Sequence, residues 1–416
     1  MISAIKKESI IEKLILFFII SIFCIPKITA IAGILFFSSF LYISIKKKLT
    51  FRLNRELLFF IVLYLLYIIG MLMSNDQSNF KHIIESKIVF LILPLVFSIG
   101  YHKSYNHKNI HLSIVLSIIA YSIYGIYNGL LWYFDNDISN PYFGTYYCFT
   151  RGILSPLTHP SYDAAYVFLG VLSTLSLYKN GHLKKYISIL ILIFLSLKIM
   201  LLFSFSGILF YFIFLLIMVF WYAKNRWNLM AGFSILSLLF LCIFFLLNNV
   251  PMLKTDFNNA KNHSISYISD PQGFIEKSDK NPNGTVIRII MWKVSYDLIK
   301  ENPLGYGVGD AMYVTNSKLK KYGFDEMVKH DLNPHNQYLQ IGLELGIFPL
   351  LIFIFGCLYL LVNAWKSKNH FLLFIVLNLI FNCCFESMLQ RQSGIVFYTF
   401  FICLFLQWNV KENRLL

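Results

Sequence analysis

Residues 333–362 read NPHNQYLQIGLELGIFPLLIFIFGCLYLLV, a polar lead of Asn333, Pro334 and His335 running into a long apolar stretch whose one formal charge is Glu344. A helix rises about 1.5 Å per residue, so a run of this length crosses a hydrocarbon core of roughly 30 Å. Unsatisfied backbone groups are costly in lipid, which leaves the helix as the form such a segment takes. Asn is a favoured N-cap and Pro a favoured first helical residue, so one spanning helix over 336–362 is expected, with His335 in its first turn. The positive end of the helix dipole would then favour an uncharged imidazole that accepts a proton, and free N–H groups there could hold an anion. The bland reading of His335 is an interfacial histidine satisfied by water.

Similar apolar runs lie on both sides of this one, near 14–25, 28–45, 57–73, 88–100, 112–134, 161–178, 186–203, 206–223, 229–249, 371–385 and 394–409. The fold class is therefore all-α, a polytopic membrane protein of about 12 spanning helices. Composition agrees: of 416 residues, 57% are hydrophobic and only 14% charged, which excludes an ordinary soluble domain. No small-residue cleavage site follows the first apolar run, where Pro26 and Lys27 stand instead, so the N-terminus is expected to be retained. The net charge of +15 could suggest nucleic acid, but most of it sits in short loops. Lys46, Lys47, Lys48, Arg52 and Arg55 share one side with Lys179, Lys184 and Lys185, whereas the opposite short segments hold Lys27, Lys81, Lys87, Arg151 and Arg391. Positive loops stay inside, so both termini are expected in the cytoplasm of an inner membrane.

That orientation puts two long segments, 135–160 and 250–335, on the outer side of the membrane. The chain divides into spans one to nine over 1–249, a large mostly helical loop over 250–335, and spans ten to twelve over 336–416. Within the loop, Thr285 to Lys300 reads as a helix with Val286, Ile289, Ile290 and Val294 on its apolar side, ended by Asn302-Pro303 and followed by a bend at Gly305, Gly307 and Gly309. GYGVGD lacks the spacing of a dinucleotide loop and no phosphate-binding G-x-x-x-x-G-K-[ST] occurs, so neither ATP nor another nucleotide is expected. The seven cysteines lie mostly in apolar runs, with Cys148 in a loop, and offer neither a disulfide framework nor a metal site.

The polar residues near the outer ends of the spans carry what chemistry is legible. Arg288 lies on the loop helix and could fold back over the membrane to grip a phosphate through its planar fork, or be a solvated surface residue. Arg151 and the stretch Thr158-His159-Pro160-Ser161-Tyr162 form a further group, His159 starting a span as His335 does. Glu386 and Arg391 share the turn between the last two spans, where they either pair with each other or shape a site. Lys198, inside a span, either snorkels to the surface or meets a substrate phosphate. A transporter would need polar residues through the membrane interior, yet apart from Lys198, Asp163 and Glu344 the spans carry no formal charge.

These residues together resemble the O-antigen ligase and polymerase family of bacterial envelope proteins. The resemblance rests on Arg288 and Trp292 followed by Pro303-Leu304-Gly305-Tyr306-Gly307-Val308-Gly309, then His335-Asn336 with Gly346 beyond, and extends to Glu386–Gly394 and His159–Tyr162. Two elements depart from the pattern: Pro349 stands where a Gly, Thr or Tyr is usual, and Ser204-Phe205-Ser206-Gly207 lacks a cation. The resemblance implies a GT-C-like, metal- and cofactor-independent inverting glycosyltransferase working at the periplasmic face. The donor would be an undecaprenyl-diphosphate-linked glycan and the acceptor lipid A-core, or a growing chain if the protein is a polymerase. It also implies His335 and Arg288 as catalytic residues, with Arg151, His159, Asn336, Tyr338, Arg391 and Lys198 binding substrate.

Overall fold

The computed structural model describes residues 2–48, 51, 53, 55–99, 106–135, 147–226, 251–278 and 284–408. Among these the secondary structure is helical, with no strand and one isolated bridge between Phe51 and Ile99. The helices α1 (Ile2–Ile22) and α2 (Pro26–Lys47) form a hairpin, followed by α3 (Arg55–Leu72), the short α4 (Phe80–Lys87) and α5 (Val89–Ser98). After α6 (His107–Asp135) and the one-turn α7 (Arg151–Leu154) come α8 (Pro160–Lys179), α9 (Lys185–Leu201) and α10 (Phe205–Arg226). The expected span over 229–249 lies outside the described residues. The loop holds α11 (Pro251–Ser269), α12 (Pro271–Lys277), α13 (Gly284–Glu301), α14 (Ala311–Lys321) and α15 (Asp325–Val328). The chain returns through α16 (Gln337–Leu345), α17 (Ile347–Lys366), α18 (His370–Cys383) and α19 (Gln392–Leu406).

This is an all-α membrane protein: α2, α3, α6 and α17 are each long and apolar enough to cross a bilayer. Their outward faces stay apolar, as with Ile34 on α2 and Phe355 on α17, because lipid rather than water meets them. Innermost stand α8, α18 and α19, buried along nearly their whole lengths. Helix association in lipid is driven by close packing rather than by expulsion of water. Small residues accordingly sit at the seams: a Cβ at Gly207 of α10 would fall 2.4 Å from the Ala164 Cβ of α8. Aromatic edges fill the wider gaps, Phe168 meeting Phe210 and Phe214 with ring centroids 4.9 and 5.0 Å apart.

The loop has its own hydrophobic core, separate from that of the membrane helices. Ile289, Ile290, Val294 and Leu298 of α13 bury with Phe274, Leu319, Phe324 and Met327, and Leu343 of α16 joins them. Seating is close: a Cβ at Gly342 would stand 2.9 Å from Ile299 Cδ1. The helix expected over Thr285–Lys300 is α13 almost to the residue.

The stretch quoted first behaves differently from expectation. Instead of one span over 336–362 there are two helices, α16 and α17, broken at Gly346, whose φ of 92° and ψ of 178° no side-chain-bearing residue adopts comfortably. The glycine bend of the loop stabilises the break. Tyr306 and Gly307 donate their N–H groups to the carbonyls of Leu343 and Glu344 at 2.9 and 3.0 Å, and Ile347 N donates to Pro303 O at 2.9 Å. Carbonyls that a continuous helix would have used internally are thereby satisfied from outside. A Cβ at Gly346 would also lie 2.5 Å from the Leu304 carbonyl, so Gly346→Ala is expected to destabilise the protein by about 3 kcal/mol. Thermal unfolding in detergent measures this, and an unchanged midpoint would refute it.

Candidate active site

Asn333 and Asn336 fix the main chain on either side of His335. Asn333 Oδ1 accepts the His335 N–H at 2.8 Å. Asn336, not Asn333, caps α16: its Oδ1 accepts from Tyr338 N and Leu339 N at 2.9 and 3.1 Å, while its Nδ2 donates to Cys384 O at 3.0 Å. His335 therefore precedes the helix instead of entering its first turn, and takes a left-handed backbone with φ of 48°. That corrects the expectation that it faces a free helix end. Its ionisable neighbour is a carboxylate: His335 Nδ1 lies 3.2 Å from both oxygens of Glu386. With Nδ1 so engaged, Nε2 is the ring nitrogen left for a substrate.

Glu386 is the centre of the cluster and is only 5% exposed. Arg288 Nη2 stands 4.0 Å from its Oε2 and His159 Nδ1 3.9 Å from the same oxygen. Its own turn contributes the Ser387 N–H, donated to Oε1 at 3.2 Å. Burial pushes the Glu386 carboxyl up, but the His335 hydrogen bond and the charges of His335, His159 and Arg288 outweigh it, and the group is held below its ordinary range. His159 caps α8, Nδ1 accepting from Ser161 N at 3.4 Å. Burial lowers its pKa, Glu386 opposes this, and Arg288, Arg391 and His335 reinforce it, so the neutral ring is favoured.

Three segments far apart in sequence, α13, the 333–336 turn and the start of α8, thus converge on a carboxylate in the α18–α19 turn. Arg288 lies beside His335, as a loop helix folded back over the membrane surface would place it, and His159, grouped in the sequence with Arg151, joins them. Glu386, which the sequence offers either as a partner of Arg391 or as part of a site, takes the second role and is the centre of the cluster. The available signal was chemical: a lone carboxylate in a turn facing three basic groups already singled out. Arg391 is exposed at the start of α19, near enough to influence His159. Arg151 opens α7, which is held against α6 where Asn128 Nδ2 donates to Ile153 O at 2.9 Å. Asn336 and Tyr338 serve the scaffold, the Tyr338 hydroxyl donating to Ile380 O at 2.9 Å.

Lys198 neither snorkels nor faces the cluster. Its Nζ lies 2.9 Å from Asp163 Oδ2, both side chains almost fully enclosed, and 4.3 Å from the Tyr121 ring centroid. Two charges removed from water are tolerable because each neutralises the other. Lys198→Met alone strands the Asp163 carboxylate and is expected to cost about 3–5 kcal/mol, most of it recovered by adding Asp163→Asn. If melting of the double variant falls below that of the single, the pairing argument is wrong.

A helical membrane protein with a buried carboxylate ringed by two imidazoles and a guanidinium is the class that the fold and this cluster define. Residues 190–354 match the family model described as O-antigen ligase, and the resemblance read from the motifs holds. The matched stretch contains Arg288 and His335, while His159 and Glu386 fall outside it. Among curated relatives, a Rickettsia felis protein named as a candidate polysaccharide ligase is 36% identical over 107 residues, 24% of this chain and 26% of that one. A Rickettsia conorii protein named likewise is 34% identical over 88 residues, 20% of this chain and 21% of its own. The aligned stretches thus span only about a quarter of these relatives' lengths. Where the family pattern places a cation, this chain sets Phe205 edge-on to Phe385, with centroids 5.9 Å apart.

Proposed function

We propose that the chain is a ligase-type glycosyltransferase that moves a glycan from an undecaprenyl-diphosphate carrier to a lipid A-core acceptor at the periplasmic face of the inner membrane. On this reading both termini are cytoplasmic and the 250–335 loop is periplasmic, within a bundle of about twelve spans. The single observation that carries the reading is the His335–Glu386 contact with Arg288 beside it. The carboxylate fixes the ring through Nδ1, and Nε2 takes the proton of the acceptor hydroxyl as its oxygen attacks the anomeric carbon of the first sugar. The bond from that carbon to the diphosphate oxygen breaks with inversion, and the leaving group departs as the carrier diphosphate. Arg288 makes only a long contact to Glu386, which leaves the donors of its fork for the diphosphate and stabilises the charge that builds there.

Neutralising the diphosphate by guanidinium removes the need for ATP or another cofactor. The test uses purified full-length protein in lipid nanodiscs with carrier-linked glycan and lipid A-core, with and without chelator. Glycosylated lipid A-core at equal rates in both arms is expected. Elongation of carrier-linked glycan without any transfer to lipid A-core would replace this reading by that of a polymerase, and no product of either kind would end it.

A further inference from the structure

The turn that carries Glu386 is itself held by a buried cation from elsewhere in the chain. Lys87, the last residue of α4, is 2% exposed and lies under Tyr67, its Nζ 4.4 Å from the ring centroid. Its ammonium donates to the carbonyl of Leu389 and, at 3.1 Å, to Gln390 Oε1. The Leu389 N–H is taken in turn by Gln337 Oε1 at 2.6 Å. Both main-chain polar groups of a residue three places beyond Glu386 are therefore fixed by buried side chains of α4 and α16. Gln390 passes the charge onward, its Nε2 donating to the Glu344 carboxylate at 2.9 and 3.0 Å, where Gln340 Nε2 also donates at 2.7 Å.

An apolar side chain of similar volume would fill this place without the desolvation that an ammonium suffers, so the charge stands where it holds something. What it holds is the peptide of Leu389. We propose that Lys87 is a positioning residue for the active site, clamping the 386–390 turn so that the Glu386 carboxylate stays against His335 Nδ1. This rests on the ligase reading for its activity readout, though not for its structural one. Misplacement of a reacting group by about 1 Å can cost on the order of 100-fold in rate. Lys87→Met is accordingly expected to lower transfer by about that factor, with the donor KM within about twofold of wild type, since Arg288 is untouched.

The test is a double-mutant cycle in nanodiscs with Lys87→Met and Glu386→Gln, beside hydrogen exchange of the turn followed by mass spectrometry. If Lys87 acts through Glu386, Lys87→Met adds little in the Glu386→Gln background, and exchange quickens in 386–391 while that of the loop core over 289–299 is unchanged. Losses that multiply, or unchanged exchange in the turn, overturn the proposal. Should Lys87→Met not accumulate in membranes, Lys87→Gln enters the same cycle, and failure of both to accumulate makes Lys87 a folding residue and rejects the proposal. A wild type without transfer defeats the ligase reading alone, because the exchange arm still decides whether Lys87 clamps the turn.

Discussion

His335→Ala is expected to lower glycan transfer by about 10²- to 10⁴-fold, the usual contribution of a positioned general base, with the protein still folded and inserted. The histidine is partly exposed and outside any helix, so its loss breaks no helix. It also lies in a turn fixed by Asn333 and Asn336, whose bonds survive the substitution because they run to main-chain groups. The loss should fall on kcat, since in the proposed mechanism the base acts on the acceptor hydroxyl in the transition state and not on the carrier diphosphate. Single-turnover transfer with donor preloaded measures it directly. A variant that transfers at the wild-type rate would remove His335 from the chemistry.

Glu386→Gln is expected to be nearly as damaging, about 10³-fold by comparison with other systems in which a carboxylate orients a catalytic histidine. The substitution keeps shape while deleting the charge that holds Nδ1 and balances Arg288. Unlike His335→Ala it should also lower the melting temperature, because Arg288 loses the enclosed carboxylate that is its counter-charge. The pH dependence has a definite sign. A carboxyl held below its ordinary value of 4.5 contributes stability that is fully present above 4.5 and disappears as pH falls through the lower folded value. Melting temperatures of wild type and Glu386→Gln should thus stay apart from pH 7 down to pH 5 and converge only below that range. A gap that closed between pH 7 and pH 5 would mean that Glu386 is protonated there and cannot be the counter-charge.

Much of the helical layout could be read from apolar runs, because lipid rewards hydrophobic length directly and α2, α3 and α6 follow their runs closely. The break at Gly346 could not. Its N–H and C=O partners come from Pro303, Tyr306 and Gly307, and a window of sequence cannot show that a distant loop will satisfy a helix end. The same limit hid the neighbours of Glu386, which are contributed by residues 159, 288 and 335. The Asp163–Lys198 pair was nearer to hand. On the antiparallel hairpin of α8 and α9, one residue lies 16 positions before Lys179 and the other 13 after Lys185, which sets them at similar depth. Opposite charges at one depth on adjacent helices are partners before they are ligands, and that argument needed only counting.

The seating of α13 on α16, with Ile299 pressed against Gly342, ties the helix bearing Arg288 to the helix that follows His335. Their spacing is set by a dry interface within the protein and owes nothing to the acyl chains around it. A thicker or thinner bilayer should therefore alter how deeply the whole assembly rides, and with it access for the lipid-linked donor proposed above, while leaving the distance between guanidinium and imidazole unchanged.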